Sequence, residues 1–243
     1  MVVVLGTRIH NNSAKCANEF YLLKNWCYQA LEYTNYIVVA TDSKSYTKTK
    51  RAIRDLGERV HTILVSPWKG IVNPLNSIIC EANILGAERL VFQSVEVYIS
   101  SRDFEILNYH LKSDTLVVGG KMVLSHGGTP GTKVICGMTS PWNTLALWNL
   151  AKLNTTGFLG VSNGIIKGIP GGIEEVPTIS LLQQLYPNET QAKLVSLSDL
   201  SWITIWKDKK RENYHKEKML TKSSRAEAQL NCLKIKPGYV TVF

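Results

Sequence analysis

The sequence predicts an α/β fold in three layers, with a mostly parallel central sheet that is covered by helices on both faces. Short apolar runs alternate with segments of helical spacing through the first half of the chain. Such runs are typical of strands buried on both faces, and their alternation with helices indicates βαβ units. A chain of 243 residues with a hydrophobic fraction of 44% can form one domain around a sizeable core.

The predicted elements follow from the apolar runs and from the glycine and proline residues at their ends. Gly6, Gly57 and Gly86 each stop a run, and Asn73-Pro74 is a typical helix start. The predicted strands span residues 2–5, 36–40, 60–65, 89–97 and 115–118, and the predicted helices span residues 20–31, 46–56, 73–85 and 102–111. The alternation breaks near residue 120, so residues 120–205 are expected to form a substrate-side lobe of loops and short helices.

The composition excludes several classes of protein. No run reaches the ~20 apolar residues of a membrane-spanning helix, and the first residues carry no basic leader of a signal peptide. The cysteines are scattered without a CxxC pair, which favours free thiols in a reducing compartment. These cysteines are Cys16, Cys27, Cys80, Cys136 and Cys232. The chain is therefore expected to be cytoplasmic, without a transmembrane segment.

The positive charge is concentrated near the end of the chain. The formal net charge is +9, and residues 205–236 hold ten Lys and Arg against four acids. Two-thirds of the net charge thus lies in one stretch, which favours a focused site for an anion over a uniform nucleic-acid-binding surface. No nucleic-acid partner is expected. The alternative is a solvated, lysine-rich helix without a ligand.

Two phosphate-binding motifs are excluded by their spacing. The segment after the first strand, Gly6-Thr7-Arg8, has one glycine and therefore lacks the GxGxxG dinucleotide fingerprint. Residues 127–133 are one residue short of a P-loop, and Pro130 removes an amide that such a loop would direct at phosphate. A nucleoside triphosphatase is therefore not expected.

Residues 74–97 combine a helix, a glycine and an apolar strand in a recognisable order. The helix ends in Ala82-Asn83-Ile84-Leu85-Gly86, and the strand runs through Leu90-Val91-Phe92-Gln93 into Ser94-Val95-Glu96. This arrangement resembles the GT-A glycosyltransferases, in which such a strand delivers a DxD acidic pair that holds a divalent cation on the diphosphate of a nucleotide-sugar. The resemblance implies that Ser94 and Val95 bind the nucleotide-sugar and that Glu96 holds Mn²⁺ or Mg²⁺.

The motif departs from the pattern of that family. Ser94 stands where the first acid is expected, and the second acid is Glu96. Either one carboxylate suffices with help from elsewhere, or the metal is weak or absent. The alternative interpretation is that Glu96 is an ordinary glutamate at the end of a strand.

A stripe of basic residues near the C-terminus has helical spacing. Its members are separated by three or four residues, which places them on one face of a helix. They are Arg211, His215, Lys218, Lys222, Arg225 and Gln229. A basic ridge of this kind suits a diphosphate, and a neutral imidazole can ligate a metal. The resemblance implies that Lys218, Lys222 and Arg225 contact the nucleotide-sugar and that His215 is a metal ligand beside Glu96.

An acidic pair opens a predicted helix in the second half of the chain. Gly171-Gly172-Ile173 leads into Glu174-Glu175, and helical spacing follows from Thr178. Many inverting GT-A enzymes have such a pair in the acceptor lobe, with one member as the general base that takes the proton of the acceptor hydroxyl. The resemblance assigns this role to Glu175, with Glu174 as the other candidate. Both side chains could instead favour the helix N-terminus through its dipole.

The resemblance also places residues around the nucleoside. Parallel sheets bind ligands at the carboxyl ends of their strands. Thr7 and Arg8 follow the first strand, Asp42 follows the second, and Lys69 follows the third. The four tryptophans at positions 142, 148, 202 and 206 could form a platform for an acceptor sugar, although tryptophans more often fill the core.

The chain is thus similar to a compact GT-A glycosyltransferase. Residues 1–119 would bind the nucleotide-sugar, residues 120–205 would form the acceptor-side lobe, and residues 206–236 would form a basic helix that closes the site. The expected partners are a nucleoside-diphosphate sugar and a carbohydrate or protein with a hydroxyl acceptor, and inversion is favoured. A nucleotidyltransferase acting on a sugar phosphate and a non-catalytic nucleotide-sugar-binding protein remain as alternatives.

Overall fold

A computed structural model describes residues 1–10, 19–204, 206 and 208–243, and within these ranges the side chains of residues 19–21 and 211 are not described. Cys16 therefore lies outside the described residues. The other four cysteines are free thiols.

The helices and strands alternate along the first half of the chain, as predicted. The strands are β1 (Val3–Ile9), β2 (Tyr36–Thr41), β3 (Val60–Leu64), β4 (Arg89–Gln93), β5 (Val97–Tyr98), β6 (Thr115–Gly120), β7 (Gly131–Val134), β8 (Leu145–Asn149), β9 (Gln191–Val195), β10 (Ser201–Trp202) and β11 (Tyr239–Val242). The α-helices are α1 (Glu19–Ala30), α2 (Tyr46–Ile53), α3 (Val72–Ile84), α4 (Ser101–His110), α5 (Leu150–Leu153), α6 (Glu175–Leu185), α7 (Lys209–Leu220) and α8 (Lys222–Leu233). Two 3₁₀ helices span Arg54–Arg59 and Gly160–Asn163.

The main sheet has nine strands in the order β3-β2-β1-β4-β8-β6-β9-β11-β7. Neighbours pair in parallel from β3 to β4 and from β6 to β11. Strand β8 is antiparallel to β4 and β6, and β7 is antiparallel to β11 at the edge. The prediction of a mostly parallel sheet is confirmed. Strands β2 and β3 lie on one side of β1, and β4 lies on the other side. This reversal of the strand order opens a crevice at the carboxyl ends of β1 and β4.

The core forms two hydrophobic layers, one on each face of the sheet. Successive residues of β1 alternate between the layers, with Val4 in one and Val3 and Leu5 in the other. The first layer also takes side chains from α3, α6 and α8, and the second takes them from α1 and α4. The three-layer arrangement predicted from the buried strands is therefore confirmed.

The second half of the chain differs from the prediction of loops and short helices. Residues 131–134, 145–149 and 191–195 are strands of the main sheet, and α6 is eleven residues long. Strand β8 is short and wholly apolar through Trp148, and it lies between β4 and β6 in the middle of the sheet. It runs directly into α5, which is only four residues long, so the helix-strand rhythm that revealed the first half is missing here.

The basic C-terminal segment is two helices and not the single helix predicted for residues 206–236. Helix α7 ends at Leu220, and Thr221 has φ −93° and ψ 5°, which departs from helical geometry. Helix α8 begins at Lys222, whose backbone packs closely against Gly137. A Cβ added to Gly137 would lie 2.3 Å from the carbonyl carbon of Lys222. The break at Thr221 divides the residues of the basic stripe between the two helices. Within the described residues, no helix combines the length and apolar character needed to cross a membrane.

Candidate functional site

A cavity of about 680 Å³ opens at the carboxyl ends of β1 and β4. Thr7 and Arg8 of β1 line one side, and Ser94 lines the wall after β4. Tyr214 and Lys218 of α7 line the cavity from the C-terminal segment. The sheet and α7 therefore face a common space.

The two residues at the end of β4 are fixed by hydrogen bonds. The Gln93 side chain is 2% exposed; its Oε1 accepts from the Tyr33 hydroxyl at 3.0 Å, and its Nε2 donates to the Val97 carbonyl at 2.9 Å. The backbone N–H of Ser94 donates to the Thr144 carbonyl at 3.0 Å. The hydroxyl residues Ser94 and Thr144 thus meet at the cavity wall.

The other two residues of the predicted motif lie away from the cavity. Val95 is buried in the second hydrophobic layer and does not line the space. Glu96 Oε2 accepts hydrogen bonds from Trp202 Nε1 at 3.3 Å and from Thr204 Oγ1 at 3.0 Å. The Glu96 backbone carbonyl also accepts from Ile203 N–H at 2.9 Å. Glu96 is therefore held on the segment around β10.

His215 lies on the same flank as Glu96. Its ring centroid is 6.1 Å from that of Trp202 and 4.9 Å from that of Trp206. Because Trp202 also donates to Glu96, the two predicted metal ligands share a neighbour. The structure thus brings Glu96 and His215 to one side of the molecule, outside the lining of the cavity.

The donor groups at the end of β4 do not fit the divalent cation that the resemblance implied. The cavity wall there offers an amide and a hydroxyl, whereas Mn²⁺ and Mg²⁺ prefer carboxylate oxygens. Among the described residues, no three His, Cys, Asp or Glu side chains assemble into a group that could hold a metal ion. The assignment of Glu96 and His215 as metal ligands stays a prediction without support from the geometry.

The basic stripe divides at the break between α7 and α8. Lys218 lines the cavity, with its Nζ 5.3 Å from the centroid of the Tyr214 ring. Arg225 does not line the cavity; its Nη1 donates to the Gly171 carbonyl at 2.9 Å, and its Nη2 donates to the Lys218 carbonyl at 2.7 Å. The Arg225 guanidinium thus ties the cavity loop at Gly171 to the end of α7. The side chain of Arg211 lies outside the described residues.

Lys222 is half-buried and lies on the Trp142 ring. Its Nζ lies 2.9 Å from the centroid of the Trp142 ring, and Trp142 is 2% exposed. Burial holds the pKa of Lys222 below its usual range, while the charge of Glu175 acts in the opposite direction. Lys222 therefore faces the acidic pair and not the cavity.

The acidic pair lies directly behind Asn143. Asn143 lines the cavity, and its backbone N–H donates to Glu175 Oε1 at 2.5 Å. The Asn143 Nδ2 donates to Glu174 Oε1 at 3.1 Å, and its Oδ1 accepts from Trp148 Nε1 at 2.9 Å. Glu174 and Glu175 are 2% and 5% exposed. Asn143 thus stands between both glutamates and the cavity that a substrate would fill.

The environment of Glu175 changes its protonation. Burial, and next the charge of Glu174, raise the pKa of Glu175 to about 8, and the hydrogen bond from Asn143 and the charge of Lys222 act in the opposite direction. A buried carboxyl group is harder to ionise because the charged form loses its hydration. Glu175 is therefore able to exchange a proton near neutral pH.

The loop before the pair is shaped by glycine. Gly171 and Gly172 both line the cavity. Gly172 has φ +88°, and a Cβ there would lie 2.7 Å from Arg225 Nη1. Glycine is required at this position because other residues rarely adopt that φ, and because a side chain would displace Arg225.

A second, smaller cavity of about 360 Å³ adjoins the first. His10 and Trp68 line both cavities, and Asp42 lines the smaller one. Asp42 Oδ1 accepts from the backbone N–H of Ser45 at 2.8 Å, which orients the carboxylate at the end of β2. Lys69 is exposed and lines neither cavity, although its neighbours Trp68 and Gly70 line the larger one.

Several residues of the site were missed in the sequence. Asn143 precedes an apolar strand that was not predicted, so its place at the sheet edge was hidden. Tyr214 lies one helical turn from Lys218 and could have been found by the same spacing. Of the four tryptophans, Trp142 and Trp148 are core residues, which leaves Trp202 and Trp206 for contact with solvent or a sugar.

Known structures share this architecture at low sequence identity, while no protein-family model and no curated protein matches the chain. The mannosyltransferase PcManGT from Pyrobaculum calidifontis, in complex with GDP-Man and Mn²⁺, has a TM-score of 0.57 at 12% identity, over 93% of this chain and 68% of its own. The 4-diphosphocytidyl-2C-methyl-D-erythritol synthase from Anaerococcus prevotii has a TM-score of 0.53 at 9% identity, over 93% of this chain and 96% of its own.

A third similar structure is GalNAc-T7 with UDP, GalNAc and Mn²⁺. It has a TM-score of 0.53 at 9% identity and covers 72% of this chain and 39% of its own. Two of the three structures therefore hold a nucleotide or nucleotide-sugar together with Mn²⁺, and the third is a synthase of 4-diphosphocytidyl-2C-methyl-D-erythritol. The chain has the fold of the GT-A-type nucleotide-diphospho-sugar transferases.

Proposed function

We propose that the chain is a glycosyltransferase that moves a sugar from a nucleoside-diphosphate sugar to a hydroxyl group of a carbohydrate or protein. The observation that carries the proposal is the cavity between the strand ends of β1 and β4 and helix α7, which Arg8 and Lys218 both line. A diphosphate is strongly anionic, and cations that face a common cleft attract it. The similarity to a mannosyltransferase in complex with GDP-Man supports a donor of this class.

The two adjoining cavities match the two ends of such a donor. The smaller cavity, with Asp42 and the Trp68 ring, would take the nucleoside, since a carboxylate accepts hydrogen bonds from a base or ribose and an aromatic ring packs on it. The larger cavity would take the diphosphate near Thr7, Ser94 and Lys218. The sugar would then lie towards Asn143 and Gly171, beside the acidic pair.

Glu175 is the proposed general base of the reaction, and because Asn143 separates it from the cavity, it would take the proton through one intervening water molecule. A sugar hydroxyl is a poor nucleophile, and a carboxylate that takes its proton during attack on the anomeric carbon lowers the barrier. A pKa raised to about 8 makes the ionised Glu175 a stronger base than an exposed glutamate. Glu174 holds the side-chain amide of Asn143 and would orient that residue at the cavity wall. A base on the face opposite to the leaving diphosphate corresponds to inversion at the anomeric carbon.

The proposal assigns no step to a metal ion. Mn²⁺ or Mg²⁺ would neutralise charge on the diphosphate, as the Mn²⁺ in two of the similar structures suggests. The side chains at the end of β4 do not supply the carboxylates for it. In this proposal the protein's own side chains bind the donor.

A second candidate function is nucleotidyl transfer to a sugar phosphate. The observation in its favour is the fold similarity to the synthase from Anaerococcus prevotii, which extends over 96% of that chain. Against it, the segment after β1 has Gly6, Thr7 and Arg8 but lacks the longer glycine-rich basic loop that usually follows the first strand of such enzymes.

The two reactions release different products, and we expect the protein to release nucleoside diphosphate from a nucleotide-sugar. UDP- and GDP-sugars are incubated with the protein, and free UDP or GDP is measured. In parallel, CTP or UTP is supplied with sugar 1-phosphates, and pyrophosphate is measured. Release of pyrophosphate alone would favour nucleotidyl transfer, whereas binding of a nucleotide-sugar without turnover in any mixture would favour a binding protein.

A further inference from the structure

The end of β4 carries the side-chain amide of Gln93 and not a carboxylate, and this amide already makes hydrogen bonds within the protein. Gln93 is 2% exposed, and both of its polar atoms hold buried partners, Tyr33 and Val97. Turning either atom towards a ligand would leave buried polar groups unpaired, which is unfavourable. Gln93 is therefore a structural residue at the place where the strand meets the cavity.

The first carboxylate after Gln93 in the sequence belongs to Glu96, and it is hydrogen-bonded to the segment around β10. Glu96 accepts hydrogen bonds from Trp202 and Thr204 through its side chain and from Ile203 through its backbone. Each of these partners belongs to β10 or directly follows it. Glu96 thus anchors the segment that leads to α7, and it is not among the residues that line the cavity.

Cationic side chains face the cavity instead. Arg8 Nη1 donates to the Ile71 carbonyl at 3.4 Å, which fixes the guanidinium at the end of β1. Lys218 lies opposite on α7, and the Arg225 guanidinium holds its backbone carbonyl at 2.7 Å. Arginine offers several N–H donors to phosphate oxygens, and lysine adds a point charge. The hydroxyls of Thr7 and Ser94 complete a lining that suits an anion.

We infer that Arg8 and Lys218 meet the charge of the donor's diphosphate directly, so that the protein binds nucleoside diphosphates without a divalent cation. The inference rests on the proposed function, because it concerns the leaving group of that reaction. Fixed cations stabilise the negative charge that develops on the leaving diphosphate without any metal ligand. Lys218 has the larger share, because within the described part of the chain its ammonium group contacts the Tyr214 ring and makes no hydrogen bond like the one that Arg8 donates to Ile71. It also lies on α7, across the cavity from the strand ends.

The test is the affinity for UDP, GDP and CDP, measured by titration calorimetry in EDTA and in Mn²⁺. For the nucleotide that binds most tightly, we expect the dissociation constants in EDTA and in Mn²⁺ to agree within about threefold. Lys218→Gln should weaken that binding by about tenfold or more in both buffers, since a tenfold change corresponds to one charge-assisted contact. Lys218→Arg should restore most of the affinity.

The matched control is Lys216→Gln on the same helix. Lys216 Nζ pairs with Glu212 Oε1 at 2.7 Å, and it does not line the cavity. Its replacement removes one positive charge from α7 and should change the affinity by less than about twofold. An equal loss in the Lys216 and Lys218 variants would overturn the inference, because the effect would then come from net charge alone.

The outcomes separate this inference from the proposed function. Binding that appears only in Mn²⁺, or that tightens tenfold or more with it, overturns the metal-independent inference and leaves a glycosyltransferase with a metal site. The metal-independent inference is also overturned if the Lys218→Gln variant binds the nucleotide as tightly as the unchanged protein does. If none of the three nucleotides binds in either buffer, the proposed function fails and the inference fails with it.

Discussion

Replacing Glu175 by Gln is expected to lower kcat for sugar transfer by about 10²- to 10⁴-fold, the usual contribution of a general base. The amide oxygen of the introduced side chain can still accept from the Asn143 N–H, so the cavity wall keeps its shape. The measurement is the release of nucleoside diphosphate under saturating donor, compared with the unchanged protein.

The same substitution should not destabilise the protein. Glu175 is 5% exposed and lies beside Glu174, and its pKa is raised to about 8 because the charged form is unfavourable there. A group with a raised pKa in the folded state contributes stability below its unfolded pKa, and that contribution is lost as the pH rises through about 8. A neutral Gln removes this loss, so the midpoint of thermal unfolding at pH 8 should be unchanged or higher.

Glu174→Gln is the matched control for this experiment. Glu174 is equally buried and holds the Asn143 side chain through Oε1, which the amide oxygen of Gln can replace. Its kcat should fall less than about tenfold. If Glu175→Gln keeps full turnover, or if only Glu174→Gln loses it, then Glu175 is not the base.

Replacing Lys222 by Met is expected to move the pH dependence of turnover to higher pH. Turnover should rise with pH through a midpoint near 8 and level off about one pH unit higher in the unchanged protein, because the ionised form of Glu175 is the active one. The charge of Lys222 lowers the pKa of Glu175, so its removal raises that pKa further. The midpoint of the profile should then move up by about one pH unit, and turnover at pH 7 should fall about tenfold.

The choice of Met keeps the packing of the site. The Lys222 side chain lies on the Trp142 ring, and an unbranched apolar side chain can occupy the same space. A buried cation carries a desolvation cost, so the variant should fold at least as well as the unchanged protein below pH 7. A profile that does not move would show that Lys222 is a packing residue without influence on Glu175. Glu175→Gln with Lys222→Met should show no pH-dependent rise at all.

The first half of the fold could be predicted because its signals are local. Runs such as Val2–Leu5 and Tyr36–Ala40 are wholly apolar and end at turn residues, which is sufficient to identify parallel strands. Strand β8 escaped prediction because an apolar run of four residues does not reveal that it inserts between β4 and β6. Strand order in a sheet depends on contacts between distant residues, which local spacing does not contain.

The candidate site could be predicted in part for the same reason. Thr7, Arg8 and Ser94 follow directly from the rule that strand ends meet at one edge, and they do line a common cavity with Lys218. The inward turn of Lys222 could not be predicted, because it depends on the break at Thr221 and on the close approach of Gly137. Val95 was misplaced because β4 ends at Gln93, and the turn that follows carries Val95 into the second hydrophobic layer.

The most direct test of the account is a crystal structure of the protein with UDP or GDP bound, chosen by affinity. The account predicts that the diphosphate lies between Ser94 and Lys218, with Lys218 Nζ and the Arg8 guanidinium within hydrogen-bonding distance of phosphate oxygens. A nucleotide bound elsewhere on the molecule would contradict it, and so would a diphosphate in this cavity that neither cation contacts.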